Sequence, residues 1–388
     1  MRILDIREQT VPINSPMANA FISFAKMDVS VVAIITDEIR DGRPVVGYGF
    51  NSNGRYAQGG LLRERIFPRL LEAQADALVD ESGILDPGRI WDVAMRDEKP
   101  GGHGERAVAL GIVDMAAWDL RSKLQGEPLH RLLAREETGI EPHDKVWVYA
   151  AGGYYYPGGG TASLVEEMRG YLDLGYRTVK LKIGGASLDE DRQRIEAVLG
   201  LLPEGATLAV DANGRFDVLR AVEYADALSG YSLEWYEEPN DPLDFAGLAT
   251  IVDAYPGALA TGENLLSRQD ARNLLLYGGL RPERDFLQMD PALSYGLTEY
   301  LRTLDLMREV GWSPSRCVPH GGHQFNLAIA AAFHLGGCES YPGIFEPFGG
   351  FADNGSVEDG YVRIPDDAPG IGLELKAGLL PILQKLAA

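Results

Sequence analysis

Cysteine is almost absent from this chain: Cys317 and Cys338 are the only two in 388 residues. Two cysteines form no disulfide framework for a fold of this size, so a reducing compartment is expected. Long apolar runs are missing as well. No uncharged stretch approaches the ~20 residues that span a bilayer. The first ten residues carry Arg2, Asp5, Arg7 and Glu8 and lack the apolar centre of a secretory signal, so the expected location is the cytoplasm. Positive charge is scarce: 36 Lys and Arg against 57 Asp and Glu leave a net −21. A field of that sign repels nucleic acid and anionic membrane surfaces, and neither is expected as a partner. It also means that an anionic substrate must find positive charge built into its site. Zinc-type Cys/His spacing is absent, and no Ser- or Pro-rich linker divides the chain.

A chain of this length exceeds what one simple core buries, so a large barrel with a smaller domain is expected. The first 125 residues read as α+β. Residues 1–12, 27–36 (MDVSVVAIIT) and 45–50 have strand patterns, and helical periodicity follows over 61–79, 87–97 and 104–124. From Val146 onward, short apolar strands alternate with helical stretches: 146–150, 178–183, 207–211, 233–237, 259–262, 285–290, 317–319 and a last strand ending near Glu346. Eight strands with intervening helices predict an α/β fold, a (β/α)8 barrel of the TIM type. Residues 356–365 (SVEDGYVRIP) predict a hairpin turning at Asp359–Gly360. The expected division is an α+β capping domain over 1–125, the barrel with the active site over 126–355, and a C-terminal segment, 356–388, returning to the cap.

The most informative feature is a spacing. Lys182, Asp211, Glu237, Glu263, Asp290, His320 and Glu346 follow one another at intervals of 26 to 30 residues, the length of one strand, one helix and two loops. In a barrel the C-terminal strand ends converge on one mouth, so these seven side chains are expected to meet there. Any single acid is more simply a helix cap or a solvated loop residue. Three at matching strand ends, Asp211 in VDANG, Glu237 in WYEEP and Glu263 in TGENL, point to octahedral Mg2+, which takes hard oxygen ligands. Lys180 and Lys182 in KLK share one strand face. They would be solvated on an edge strand; the acids downstream favour the barrel interior instead. There, mutual repulsion and the metal should depress the pKa of one lysine into the range of a general base. His320 in VPHGGHQF, with Asp290 one strand earlier, forms a pair able to give or take a proton. His323 is expected to start the next helix. Glu346 reads as a substrate hydrogen-bond partner or as the mate of a neighbouring cation.

Together KLK, DAN, WYEEP, GEN, the sixth-strand Asp290 and the seventh-strand PH resemble the mandelate racemase subgroup of the enolase superfamily, over essentially the whole chain. The resemblance implies a cap completed by C-terminal residues and Mg2+ on Asp211, Glu237 and Glu263. It implies Lys182 as base on one face of the substrate, Lys180 on the substrate carboxylate, and His320 with Asp290 on the opposite face. Cycloisomerases of the superfamily carry a sixth-strand lysine where this chain has Asp290. The stretches GYGFNSNGRY, EKPGGHGER, YAAGGYYYPG and SPSRCVPHGGHQ are similar to the D-tartrate dehydratases of that subgroup. This likeness implies substrate contacts from Asn19, Asn53 and Lys99, with Lys99 on the far carboxylate, and a tyrosine run ending at Tyr156 on the pocket rim. Arg55, in the same polar loop as Asn53, is available for a hydroxyl or a carboxylate. The implied activity is Mg2+-dependent dehydration of a small hydroxy acid. The alternatives are racemisation or epimerisation with Lys182 and His320 as the two bases, and a non-catalytic metal-binding protein, which the intact reactive set argues against. A homo-oligomer is the base-rate expectation.

Overall fold

The structure is a computed structural model and describes all residues of the chain except Asn53, Pro157 and Asp367. Among the described residues no helix is long and apolar enough to cross a membrane.

The N-terminal part is a three-stranded antiparallel sheet in the order β1 (Ile3–Pro12), β2 (Asp28–Arg40), β3 (Arg43–Phe50). β2 is buried on both faces and its alternation sorts them. Val32 and Ile34 join a core made mainly by the N-terminal part, with Tyr295 of the barrel part at its edge, whereas Val29, Val31 and Ala33 join the core shared with the barrel. The first of these faces carries Gly47 and Gly49 of β3, paired with Ile34 and Val32. A Cβ at either glycine would lie about 2 Å from a backbone oxygen of the helix Glu105–Gln125 (Ala116 O at 2.2 Å, Ile112 O at 2.1 Å). Only glycine lets that helix lie so close on the sheet. The helix expected over 61–79 is observed as a helical run over residues 58–71, after which the chain turns to bury Leu78 and Leu85.

The rest is a curled parallel sheet flanked by helices. Its strands are β4 (Lys145–Ala151), β5 (Thr178–Lys182), β6 (Thr207–Asp211), β7 (Leu233–Glu237), β8 (Leu259–Thr261), β9 (Phe286–Leu287) and β10 (Cys338–Ser340). β4 to β9 pair in sequence order, and β10 pairs with β4. The gap between β9 and β10 is filled by residues 317–320. Val318 and His320 donate to Leu287 O and Gln288 O on one side, while Cys317 O and Pro319 O accept from Gly336 and Glu339 on the other. The barrel therefore closes through a segment too short to read as a full strand. The intervening helices start on sequence-legible caps: Asp217, Asp244 and Ser267 each accept a backbone N–H of the following turn, and Ser187 forms a capping box with Glu190.

Two expectations about the C-terminal third are corrected. The last barrel strand is Cys338–Ser340, not one ending near Glu346. Its helix, Gln324–Phe333, begins soon after His320, and His334 at φ 53° turns the chain straight back into Cys338–Ser340, so the connections of this unit are short. The hairpin forms as expected, β11 (Val357–Glu358) against β12 (Tyr361–Arg363), with Asp359 and Gly360 at positive φ. It extends the barrel sheet through β12 on β4 instead of returning to the N-terminal sheet. The final helix, Leu380–Ala387, is the part that goes back, with Leu386 O accepting from Arg7 of β1 at 2.9 Å.

Candidate active site

β5 sets the floor of the site. Val179 and Leu181 belong to the apolar core, so the alternate residues Lys180 and Lys182 face the barrel interior. Parallel pairing places Lys182, Asp211 and Glu237 side by side at the ends of β5, β6 and β7. Glu263 follows β8 after Gly262, whose φ is 125° and whose Cβ would press on Met289 (Sδ at 2.9 Å, backbone N at 3.1 Å). That turn requires glycine and brings Glu263 back over the mouth.

Asp211, Glu237 and Glu263 then offer three carboxylate oxygens within 4.8 Å of one another. Each is oriented by neutral donors. Trp235 Nε1 and Gln288 Nε2 donate to Glu237 Oε2 at 2.7 and 2.9 Å. Asn213 donates its backbone N–H to Asp211 Oδ1 at 2.8 Å and its amide toward Asp211 Oδ2 and Glu263 Oε1. Glu263 Oε2 is buried and has no hydrogen-bond partner among the described residues; the nearest cationic atom is His320 Nε2 at 3.5 Å. A dry carboxylate oxygen without a donor is costly. Three hard oxygens so arranged fit a divalent cation of the Mg2+ class, which satisfies that oxygen and separates the three charges. Glu238, the neighbour of Glu237, turns away at φ 37° and takes both of its hydrogen bonds from Asn264 Nδ2, at 3.1 and 2.8 Å.

The lysines depart from expectation. Burial works against both ammonium groups, yet the surrounding carboxylates outweigh it and hold both above the ordinary lysine range. For Lys182 the main carboxylate is Asp211; for Lys180 it is Glu237, then Glu339. Repulsion between the lysines is the smaller effect because every ammonium here faces an acid. Lys180 is fully buried, with Nζ 2.6 Å from Glu237 Oε1, 2.7 Å from Glu339 Oε1 and 3.4 Å from Asp211 Oδ2. It does not reach the cavity surface. Lys182 does, paired with Asp211 and 5.2 Å from the centre of the Tyr154 ring.

His320 stands on the other side of the acids. Its Nδ1 lies 3.0 Å from Asp290 Oδ2, and Asn326 donates to Asp290 Oδ1 at 3.1 Å. Burial lowers the His320 pKa, but Glu263, Glu339 and Asp290 more than reverse this, and the imidazole is pushed up to about 9. His323 starts the following helix at its N-cap position, as expected, without a side-chain cap bond, and burial pushes it down to about 4.

Glu339 is the site residue the spacing argument missed. Buried on β10, it meets Lys180, takes Gly321 N–H at 2.9 Å on Oε2 and lies 3.8 Å from His320 Nε2. It stands nineteen residues after His320, in the short last unit. The signal that could have found it is the Gly336–Gly337 break after an apolar helix, followed by an acid inside CES. Glu346 is corrected: its side chain is 56% exposed and lies 3.8 Å from Lys376, the cation-mate reading.

A cavity of about 370 Å3 opens above these groups and is lined by Lys182, His320, Glu263 and Asn213 from the barrel. From the N-terminal part come Asn19, Phe21, Ile22, Phe24 and Arg55. Asn19 Oδ1 accepts from the backbones of Phe21 and Ile22, both at 2.8 Å, so its oxygen holds the loop and its amide nitrogen is what remains for a ligand. Asn53 lies outside the described residues. Lys99 is exposed and is not part of this cavity wall; its turn is held by Arg106, which donates to Lys99 O and Gly101 O. Of the tyrosine run it is Tyr154, not Tyr156, that lines the cavity. Tyr155 donates to Asp191 at 2.9 Å, and Tyr156 lines two other depressions, both shared with Glu167.

The model for the family described as "Enolase C-terminal domain-like" matches residues 163–379, more than half of the chain. The chain belongs to the enolase superfamily. An L-talarate/galactarate dehydratase of Salmonella typhimurium is 27% identical over 84% of this chain and 77% of its own. A 3,6-anhydro-alpha-L-galactonate cycloisomerase of Streptomyces coelicolor is 30% identical over 90% of each. Among solved structures, a racemase from Streptomyces coelicolor A3(2) with bound magnesium superposes with a TM-score of 0.79 at 26% identity, covering 100% of both chains. This superfamily chain thus shares most of its length with enzymes of differing outcome.

The site's charges predict how metal and pH act together on stability. Burial and Asp211 push Glu237 up to about 8, from an ordinary value of 4.5. His320, ordinarily 6.5, is pushed up to about 9. A group whose folded pKa is raised contributes stability that is full below its unfolded pKa and lost as pH climbs through the folded one. Both act in the same direction, so protein stripped with EDTA should melt several degrees lower at pH 9 than at pH 6. A cation on the carboxylates removes most of the Glu237 penalty, so the melting-point gain on adding Mg2+ should grow with pH. Calorimetric scans at the two pH values, with and without Mg2+, check this; a Mg2+ increment that shrinks with pH contradicts it.

Proposed function

We propose that this protein is a Mg2+-dependent lyase that removes the proton α to the carboxylate of a small acid sugar and expels the β-hydroxyl as water. The observation that carries this reading is the placement of Lys182 and His320 on one cavity, on either side of the three-acid cluster. Mg2+, the ion named with the solved racemase, would be held by Asp211, Glu237 and Glu263 and would stabilise the charge that builds on the substrate carboxylate. Lys182 takes the proton from C2. Its pairing with Asp211 holds it protonated; a cation competing for that carboxylate weakens the hold and leaves Nζ a base. His320, charged by Asp290, Glu263 and Glu339, gives a proton to the departing hydroxyl. Lys180 and Glu339, locked together beneath, fix the charge of the floor. The enol left by water loss tautomerises to a 2-oxo acid.

Within this class we propose D-tartrate, giving oxaloacetate, on the strength of the four sequence stretches described above and of Asn19 at the cavity wall. Incubation of hydroxy-diacids and sugar acids with enzyme and Mg2+, read by semicarbazone absorbance for 2-oxo acids, tests the reading. Formation of a 2-oxo acid that EDTA abolishes and Mg2+ restores is expected, with tartrate among the substrates. Ring opening or stereochemical inversion without water loss would replace the dehydratase reading by that of a cycloisomerase or an epimerase.

A further inference from the structure

The floor of the cavity accounts for one substrate carboxylate, placed against the metal-binding acids. The opposite wall carries a cation that this scheme leaves unused. Arg55 lines the same cavity as Lys182 and His320 but comes from the loop after β3. Its backbone is pinned: Arg55 N donates to Asp28 O at 3.0 Å and Asp28 N to Arg55 O at 2.9 Å. Its guanidinium has no carboxylate partner among the described residues, and its one side-chain hydrogen bond goes to Gly54 O at 3.3 Å. The Asp28 carboxylate, on the residue whose backbone pairs with Arg55, keeps a buried oxygen, Oδ1, without a hydrogen-bond partner among the described residues. No ion pair among the described residues joins the guanidinium to that carboxylate, or to Asp241 and Glu263 on the same cavity wall. In a chain of net charge −21, an arginine on a cavity wall that leaves an adjacent carboxylate unpaired is placed for an anion from outside. A planar guanidinium binds a carboxylate with two parallel hydrogen bonds, which a hydroxyl cannot reproduce.

We propose that Arg55 receives the distal carboxylate of the substrate, so that the site selects dicarboxylic acid sugars over monocarboxylic ones of the same carbon number. This deepens the dehydratase reading and rests on it for the orientation of the substrate. It assigns to Arg55 the part that the family likeness gives to Lys99. The similar relatives do not decide the matter, since one is named for talarate and galactarate and the other for an anhydrogalactonate.

The test is a binding comparison that needs no turnover. Calorimetric titration with Mg2+ present uses two pairs of probes: tartrate with threonate, and galactarate with galactonate. Wild-type protein should bind the diacid of at least one pair tenfold or more tightly than its monoacid. Arg55→Met should abolish that preference by weakening the diacid alone, and Arg55→Lys should retain part of it; unchanged melting points establish that the variants fold. No diacid preference in either pair, or a preference that survives in Arg55→Met, overturns the proposal. Assay of 2-oxo acid in parallel keeps the two readings apart. An Arg55-dependent diacid preference without product would overturn the dehydratase alone, and dehydration of both classes at equal kcat/KM would overturn the role of Arg55 alone.

Discussion

Replacing Lys182 by alanine should lower kcat for dehydration by about 10^3-fold, the upper part of the range for a lost general base, while Mg2+ affinity stays at or above the wild-type value. The asymmetry follows from the pairing at the end of β5. Lys182 is the lysine that reaches the cavity surface, whereas Lys180 is spent on Glu237, Glu339 and Asp211. Nothing on β5 can take over proton abstraction. At the same time the substitution removes a positive charge from Asp211, which makes the acid cluster more attractive to a cation. Steady-state kinetics together with Mg2+ titration separate the two effects. Turnover within tenfold of wild type would remove Lys182 from the chemistry.

Glu263→Gln should weaken Mg2+ about 100-fold and reduce turnover at limiting metal in proportion, with partial recovery at high Mg2+. Of the three acids, Glu263 has the carboxylate oxygen with least support, since Oε2 is buried and finds no donor among the described residues, so the ion gains most there. The same substitution at Glu346 should change neither metal affinity nor kcat by more than about twofold, because that side chain is largely in water beside Lys376. Equal effects at the two positions would contradict the assignment of the cluster.

How much of this was legible beforehand differs by element. The metal cluster was legible because acids at the ends of β6, β7 and β8 are separated by units of regular length, and regular units put C-terminal ends on one rim. The same arithmetic failed once, at Glu346, because the connections before and after the helix Gln324–Phe333 are short and β10 arrives early. The KLK pair was legible as an interior pair but its electrostatics were not: the sequence shows two like charges two residues apart, and only the fold shows Glu339 arriving beside them. Asn213 and Asn264 were visible within DAN and GEN, yet their work, turning carboxylates by local hydrogen bonds, depends on loop geometry that spacing does not carry. The cap contacts were the hardest. Lys99 and Arg55 are both cations in polar loops near glycine, and only the backbone pairing of Arg55 with Asp28 puts one of them on the cavity.

The account's central claim, a proton taken from C2 by Lys182 with the acid cluster holding the metal, is tested most directly in D2O. Proton NMR of an acid sugar that the enzyme turns over should show the C2 proton signal lost in the presence of Mg2+, at an undiminished rate of exchange in His320→Asn and not at all in Lys182→Ala or after EDTA. A C2 signal that persists while the wild-type enzyme forms product, or one lost equally in Lys182→Ala, would contradict it.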